Sequence, residues 1–391
     1  MVLAACTSPS SQRSTVSSQQ GSTVPSQQGS AVPNQRDYWP TAGWRTAPPK
    51  AEGMDPAVLA TIAGNVSSLY PQVRSVLVVR HGYLVYERYW HGFDAADGQE
   101  LQSITKSVIS ALVGIALAER HLTSLDQTVA QLLAAHLPSD ADPRWGQVTV
   151  RQLLTMTGGL AGDDQSAGGD ERLSRRLFRS RDWLREILGR HLAATPGTTF
   201  AYSNATSHLL SVIVATVTGQ STLAFARARL FGPLGIHSDH VFQPLAVKPP
   251  TPAQVKAYQQ AAVAWPRDPQ GYQFGFGETK LPARDLAKLG YLYLNGGHWE
   301  SAQVIPADYV HASTQPHSNL PGFGPGEGYG YQWWTAIVDR HPSFAAVGIG
   351  GQRLLVIPDL DLVVVITSDA TQHREDAQGL VSQSIIPAVT H

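Results

Sequence analysis

The chain has 391 residues, 42% of them hydrophobic and only 15% charged, which supplies a large core and excludes a disordered majority. Its 29 Lys and Arg balance 30 Asp and Glu to a formal net charge of -1, excluding the electrostatic footprint of a nucleic-acid binder or of attachment to anionic lipid by charge alone. A single cysteine, Cys6, excludes an intrachain disulfide and a Cys-based zinc site, and no run of about 18 apolar residues offers a membrane-spanning helix.

Residues 1–37 differ in kind from the rest. Leu3-Ala4-Ala5-Cys6 is similar to a bacterial lipoprotein cleavage box, and the Ser/Thr/Gln/Pro tract at 7–34 has the composition of a flexible tether. The charged start and apolar stretch that precede such a box are missing before Leu3. Two readings stand: a coincidental match with a cytoplasmic protein, or a true start upstream of Met1, with Cys6 lipidated and the protein held on the outer face of a bacterial membrane.

From Tyr38 the composition turns globular. Residues 54–69 carry apolar positions at helical spacing. Two strands rich in β-branched and aromatic residues, 75–80 and 83–89, flank His81-Gly82 and predict a hairpin. Residues 107–117 are apolar nearly all round, as in a helix buried on every side. From about 126 to 259 helical segments (182–188, 208–217, 223–231) alternate with Gly and Pro. Pro282 suits the first position of a helix over 283–294, closed by Asn295-Gly296-Gly297. Strands follow at 331–338, 344–347, 353–357 and 362–367, and a helix at about 375–386 ends the chain. Strands at both ends around a helical middle predict an α/β domain with an antiparallel sheet flanked by helices and an inserted all-α domain. The expected parts are the tether 1–37, the first α/β part 38–125, the helical insertion 126–270 and the second α/β part 271–391.

Three stretches can carry chemistry. Ser103-Ile104-Thr105-Lys106 opens the buried helix, and its three-residue spacing puts the Lys106 amine within reach of the Ser103 hydroxyl. A serine there has the positive end of the helix dipole beside it, and an amine in apolar surroundings loses proton affinity and can act as a base. Pro196-Gly197 leads through an extended piece to Tyr202-Ser203-Asn204, placing a phenol and a carboxamide before a helix. Tyr293-Leu294-Asn295 repeats the pattern but reads as a helix C-cap. Val347-Gly348-Ile349-Gly350-Gly351-Gln352 brings glycines to a strand end, where a ligand can approach backbone N–H groups. Each stretch alone also suits an ordinary cap, a half-buried aromatic or a turn.

Other patterns point elsewhere or nowhere. There is no Gly-x-Ser-x-Gly elbow and no His-Glu-x-x-His spacing; His237 and His341 read as loop residues. The glycine-rich stretch 322–328 reads as a mobile loop able to border a pocket. The pairs Asp163-Asp164 and Asp170-Glu171 read as a solvated loop, and Arg175, Arg176 and Arg179 as surface charges on a helix.

In combination the three stretches resemble the penicillin-recognising serine hydrolase superfamily, in its class C β-lactamase-like branch of esterases and 6-aminohexanoate-dimer hydrolase-like amidases. The likeness runs from about Asp55 to the C-terminus. It includes Leu153-Leu154-Thr155-Met156-Thr157-Gly158-Gly159-Leu160, Leu230-Phe231-Gly232-Pro233-Leu234-Gly235-Ile236, Ala283-Arg284-Asp285-Leu286-Ala287 and Tyr331-Gln332-Trp333-Trp334. It implies Ser103 as nucleophile forming an acyl-enzyme, Lys106 as base and Tyr202 as proton relay. It further implies Asn204 beside the lysine or substrate, and an oxyanion hole from the N–H of Ser103 and Ile349 within the Gly348–Gly350 stretch. It implies no cofactor or metal, and a small-molecule ester or amide as the partner. The Lys-Thr-Gly of the β-lactamase and carboxypeptidase branches is replaced by Ala346-Val347-Gly348, which disfavours a substrate anchored through a carboxylate. D-alanyl-D-alanine carboxypeptidase or β-lactamase is the alternative activity, and a non-catalytic sensor of cell-wall fragments the alternative class.

Overall fold

A computed structural model describes residues 36–164, 168–237, 251–318, 324–371 and 377–390. Cys6, the tether 7–34, Gly322, Phe323 and Glu375 lie outside the described residues. Residues 36–391 form one unit.

Helix α1 (Pro56–Leu69) starts where Asp55 accepts the Ala57 and Val58 amides and Pro56 takes the first position. Strands β1 (Val73–Arg80) and β2 (Tyr83–Tyr89) form the expected hairpin, with His81 and Gly82 both at positive φ in the turn. Strand β3 (Gly98–Glu100) leads to α2 (Thr105–Ala118), buried almost throughout because its apolar residues cover every face. The short α3 (Val129–Leu132) and α4 (Val150–Leu154) each open with a reciprocal cap, Thr128 with Gln131 and Thr149 with Gln152. Then come α5 (Glu171–Arg179), α6 (Trp183–Leu188), α7 (Asn204–Thr218), α8 (Thr222–Ala226), which runs into a wider π turn over Arg227–Phe231, and α9 (Pro252–Gln260). Strand β4 (Lys280–Pro282) pairs with β3 and leads to α10 (Ala283–Leu294). Strands β5 (His298–Trp299) and β6 (Ala302–Gln303) make a small hairpin before α11 (Ala307–Ser313). Strands β7 (Gly328–Tyr329), β8 (Trp334–Val338), β9 (His341–Gly348), β10 (Gln352–Ile357) and β11 (Leu362–Ser368) finish the main sheet.

That sheet has seven strands in the order β2-β1-β11-β10-β9-β8-β7, antiparallel at every pairing. The first hairpin therefore joins the C-terminal strands through β1 and β11, with all helices from α2 to α11 in between along the chain. Side chains alternate between the two faces. Leu77, Val79, Ala346, Leu354, Val363 and Val365 join the core that holds α2, α7 and α10. Val76, Val78, Leu355, Val364 and Ile366 join a second core with Leu59, Ile62 and Val66 of α1 and Val381 and Ile385 near the C-terminus.

Several expected boundaries move. The strand expected from 331 begins at Trp334, because Gln332 has φ 61 and its buried amide donates to the Leu153 and Leu154 carbonyls. His341 opens β9 and pairs with Asp359 at 2.6 Å, so it is not a loop residue. Pro282 caps α10 and is not its first residue. Within the described residues 377–390, the expected terminal helix is a short α turn that passes into a π turn at Val381–Ile385 and a 3-10 turn at Ile386–Ala388. Asn295 is the C-cap of α10, as its sequence context predicts.

Candidate active site

Ser103 lies in a 3-10 turn, Gln102–Ile104, that runs directly into α2. Gln102 just before it has φ 50, a left-handed conformation rarely adopted by a side chain of this kind. Leu101, one residue earlier, is tied by its amide to the Thr279 carbonyl at 2.8 Å. The nucleophile candidate is thus presented on a backbone bend locked by the β3–β4 region.

Lys106 follows within the first turn of α2 and is 1% exposed. Its Nζ lies 2.9 Å from Ser103 Oγ, 2.8 Å from Asn204 Oδ1 and 3.1 Å from the Phe276 carbonyl oxygen. The amine also sits 4.7 Å from the centre of the Tyr202 ring. Burial pulls its pKa from 10.5 down to about 7, against the opposing charges of Asp164 and Asp163, which favour the cation. Two of the three polar partners are carbonyl oxygens, which only accept. A neutral amine has two N–H bonds to give them, and its lone pair is then left for the serine hydroxyl.

Tyr202 is held from both sides. The Ala201 amide donates to the Met156 carbonyl at 2.9 Å, and the Asp163 amide donates to the Tyr202 carbonyl at 3.3 Å. The ring stacks on Trp334, with centroids 5.7 Å apart, and meets Tyr329 edge-on at 6.1 Å. Burial pushes the phenol pKa well above its ordinary value, a hydrogen bond with Ser103 works the other way, and the Asp164 and Asp163 charges add to the rise. The phenol therefore stays protonated near neutrality and is available as a donor.

Asn204 is the first residue of α7, whose N-cap is Ser203. Its side chain reaches Lys106 while its backbone amide donates to Asp163. The solvated loop expected around Asp163 is therefore corrected: this carboxylate is 0% exposed, because two α7 amides and Arg190 converge on it. Asp170 instead caps α5, and Arg175, Arg176 and Arg179 are exposed there as expected.

The glycines of 348–352 form the turn between β9 and β10, Gly348 pairing with Gln352. Gly348 packs directly behind the nucleophile: a Cβ there would lie 2.5 Å from the Leu101 carbonyl oxygen and 3.0 Å from Gln102 Cβ. Ile349 is 42% exposed in the turn beside it. Gly350 has φ 83 and faces Ala370. The folded chain therefore gathers Ser103, Lys106, Tyr202, Asn204 and Gly348, whereas Gly350 serves the shape of the turn. Position 346 faces the same side as Gly348, and 347 the opposite side. The side of β9 toward the site thus carries no cation. Among the described residues, no three His, Cys, Asp or Glu side chains are grouped to hold a metal ion.

The Beta-lactamase family profile matches residues 72–382, most of the chain and every residue of this cluster. The chain belongs to the Beta-lactamase family. Within that family it is 25% identical over 310 residues to 6-aminohexanoate-dimer hydrolase of Paenarthrobacter ureafaciens, covering 74% of this chain and 70% of the relative. It is 26% identical over 294 residues to Protein flp of Staphylococcus aureus strain MW2, covering 69% of this chain and 53% of the relative, so it spans about half that protein's length. The solved structure of EstCE1, a hydrolase with promiscuous acyltransferase activity, superposes with a TM-score of 0.64 at 20% identity, covering 85% of this chain and 97% of that one. The family assignment makes the chain a Beta-lactamase-fold hydrolase.

Two parts of the site carry no sequence signal of their own. The Phe276 carbonyl that fixes Lys106 is a backbone group on an irregular segment. Trp334 was visible only as part of the Tyr331-Gln332-Trp333-Trp334 block, with no hint that it supports the Tyr202 ring.

Proposed function

We propose that the protein is a serine hydrolase that cleaves ester or amide bonds of small substrates through an acyl-enzyme. The observation that carries this reading is the contact of the buried Lys106 amine with Ser103 Oγ at 2.9 Å, with the Tyr202 ring centre 4.7 Å from the same amine. Neutral Lys106 takes the hydroxyl proton as Ser103 Oγ attacks the substrate carbonyl carbon. The resulting oxyanion faces the N–H groups of Ser103 and Ile349, the positions that suit backbone stabilisation of this charge. Tyr202 gives its proton to the leaving alcohol or amine and is reprotonated from the Lys106 ammonium. The departing group leaves an ester on Ser103. Water then attacks that ester, losing a proton to the same phenol–amine pair, and the acid product departs as Oγ regains its proton.

The absence of a cation on β9 at Ala346 and Gly348 supports substrates that lack the carboxylate anchor of β-lactams and D-alanyl peptides. The test is Ser103→Ala, which abolishes turnover of a short-chain 4-nitrophenyl ester and labelling by a fluorophosphonate. Unchanged turnover in that variant removes Ser103 as nucleophile. Nitrocefin turnover faster than ester turnover overturns the substrate reading.

A further inference from the structure

The reaction above makes no use of the buried carboxylate of Asp163. Its Oδ1 accepts the Asn204 amide at 2.6 Å and its Oδ2 the Ala205 amide at 3.2 Å. Arg190 Nη1 is 3.3 Å from Oδ2, and the Asp163 backbone is bonded to the Tyr202 carbonyl and to Ser174 Oγ. Helix α7 already has an N-cap in Ser203, which accepts the Thr206 amide. Asp163 completes that cap with a charge, accepting the Asn204 and Ala205 amides that the Ser203 side chain leaves unpaired. A fully buried charge persists only when compensated, and here the α7 N-terminus and Arg190 share that task.

The residue whose amide Asp163 holds most closely is also the one whose side chain accepts from Lys106, at 2.8 Å. A continuous chain therefore runs from Arg190 through Asp163 and Asn204 to Lys106 and Ser103. We propose that Asp163 is a positioning residue for the general base, carrying Asn204 onto the Lys106 amine, and that Arg190 tempers the negative charge this amine experiences.

The groups around the amine are Ser103 on its own side, Tyr202 from the segment before α7, Asn204 from the first position of α7, Asp163 and Asp164 from the loop after α4, and Phe276 from the segment before β4. Asp164 and Asp163 both favour the ammonium form. Arg190 offsets Asp163, and Glu186 lies 3.9 Å from Arg190 in turn.

This inference rests on the serine-hydrolase reading, and its test separates the two. The acid limb of kcat/KM against pH is measured with a 4-nitrophenyl ester for the full chain and three variants. Asp163→Asn removes the charge and turns an amide N–H₂ toward an α7 amide. It moves the limb to lower pH by on the order of one unit and lowers the plateau about tenfold or more. Arg190→Gln leaves Asp163 uncompensated and moves the limb the opposite way. Asp163→Glu keeps the charge without the geometry, so its limb stays while the plateau falls. Limbs that coincide in all variants overturn the proposal and leave Asp163 a helix cap. Should Asp163→Asn fail to fold, the upward shift in Arg190→Gln decides alone. Turnover that survives Ser103→Ala defeats the hydrolase reading instead, whatever the limbs do.

Discussion

The titration of Lys106 gives the most direct access to the chemistry. Moving its pKa from 10.5 to about 7 is a loss of about 3,000-fold in proton affinity, or about 5 kcal/mol, and burial is the cause. At pH 7 about half of the amines are then neutral, against about one in 3,000 for an ordinary lysine. With a 4-nitrophenyl ester, whose leaving group needs no proton, kcat/KM rises about tenfold per pH unit below 7 and levels off above it. Lys106→Arg keeps a cation that cannot deprotonate, and kcat/KM falls by about 10²- to 10⁴-fold at every pH. The same displacement governs stability. The unfolded chain binds more protons at this lysine between about pH 7 and 10.5, so its contribution to stability rises with pH across that window, and the full cost is present below 7. Urea unfolding of Lys106→Met and of the parent isolates the effect in its pH dependence: the lost Nζ hydrogen bonds offset the difference by a constant amount, and the variant's stability relative to the parent falls by about 5 kcal/mol between pH 7 and 10.5. An activity limb above pH 9, or a stability difference independent of pH, refutes the neutral-amine argument.

Two further expectations follow from the same geometry. Tyr202→Phe keeps the ring stack on Trp334 but loses the proton donor, so anilide turnover falls by about 10²- to 10⁴-fold while 4-nitrophenyl ester turnover falls much less; equal losses on both substrates remove Tyr202 from leaving-group protonation. Gly348→Ala puts a Cβ 2.5 Å from the Leu101 carbonyl oxygen, displacing the bend that presents Ser103. Its kcat falls at least about tenfold and thermal unfolding shows a loss of about 1–3 kcal/mol, whereas unchanged kinetics show that the β9 end does not brace the nucleophile.

The helices and strands were legible wherever one physical signal dominated. The hairpin at β1 and β2 declares itself by β-branched runs around His81-Gly82, and α2 by an apolar surface on every side, both local properties of the chain. The boundaries that moved are those where tertiary bonds compete with local preference. Gln332 gives up an extended backbone for buried hydrogen bonds to α4, and the end of the chain departs from regular α geometry, into a wider π turn and then a tighter 3-10 turn, where it packs against α1.

The site divides along the same line. Covalent spacing and helical periodicity sufficed to pair Ser103 with Lys106, because three residues of helix leave little freedom in where the amine can reach. Nothing local could place Tyr202 and Asn204, 99 and 101 residues beyond Ser103, against that amine; only the packing of α2 and α7 does so. Nor could local sequence tell that Asp163, in a polar loop, is buried. A carboxylate is solvated by default, and its burial becomes affordable only when a helix N-terminus and an arginine from elsewhere in the chain converge on it.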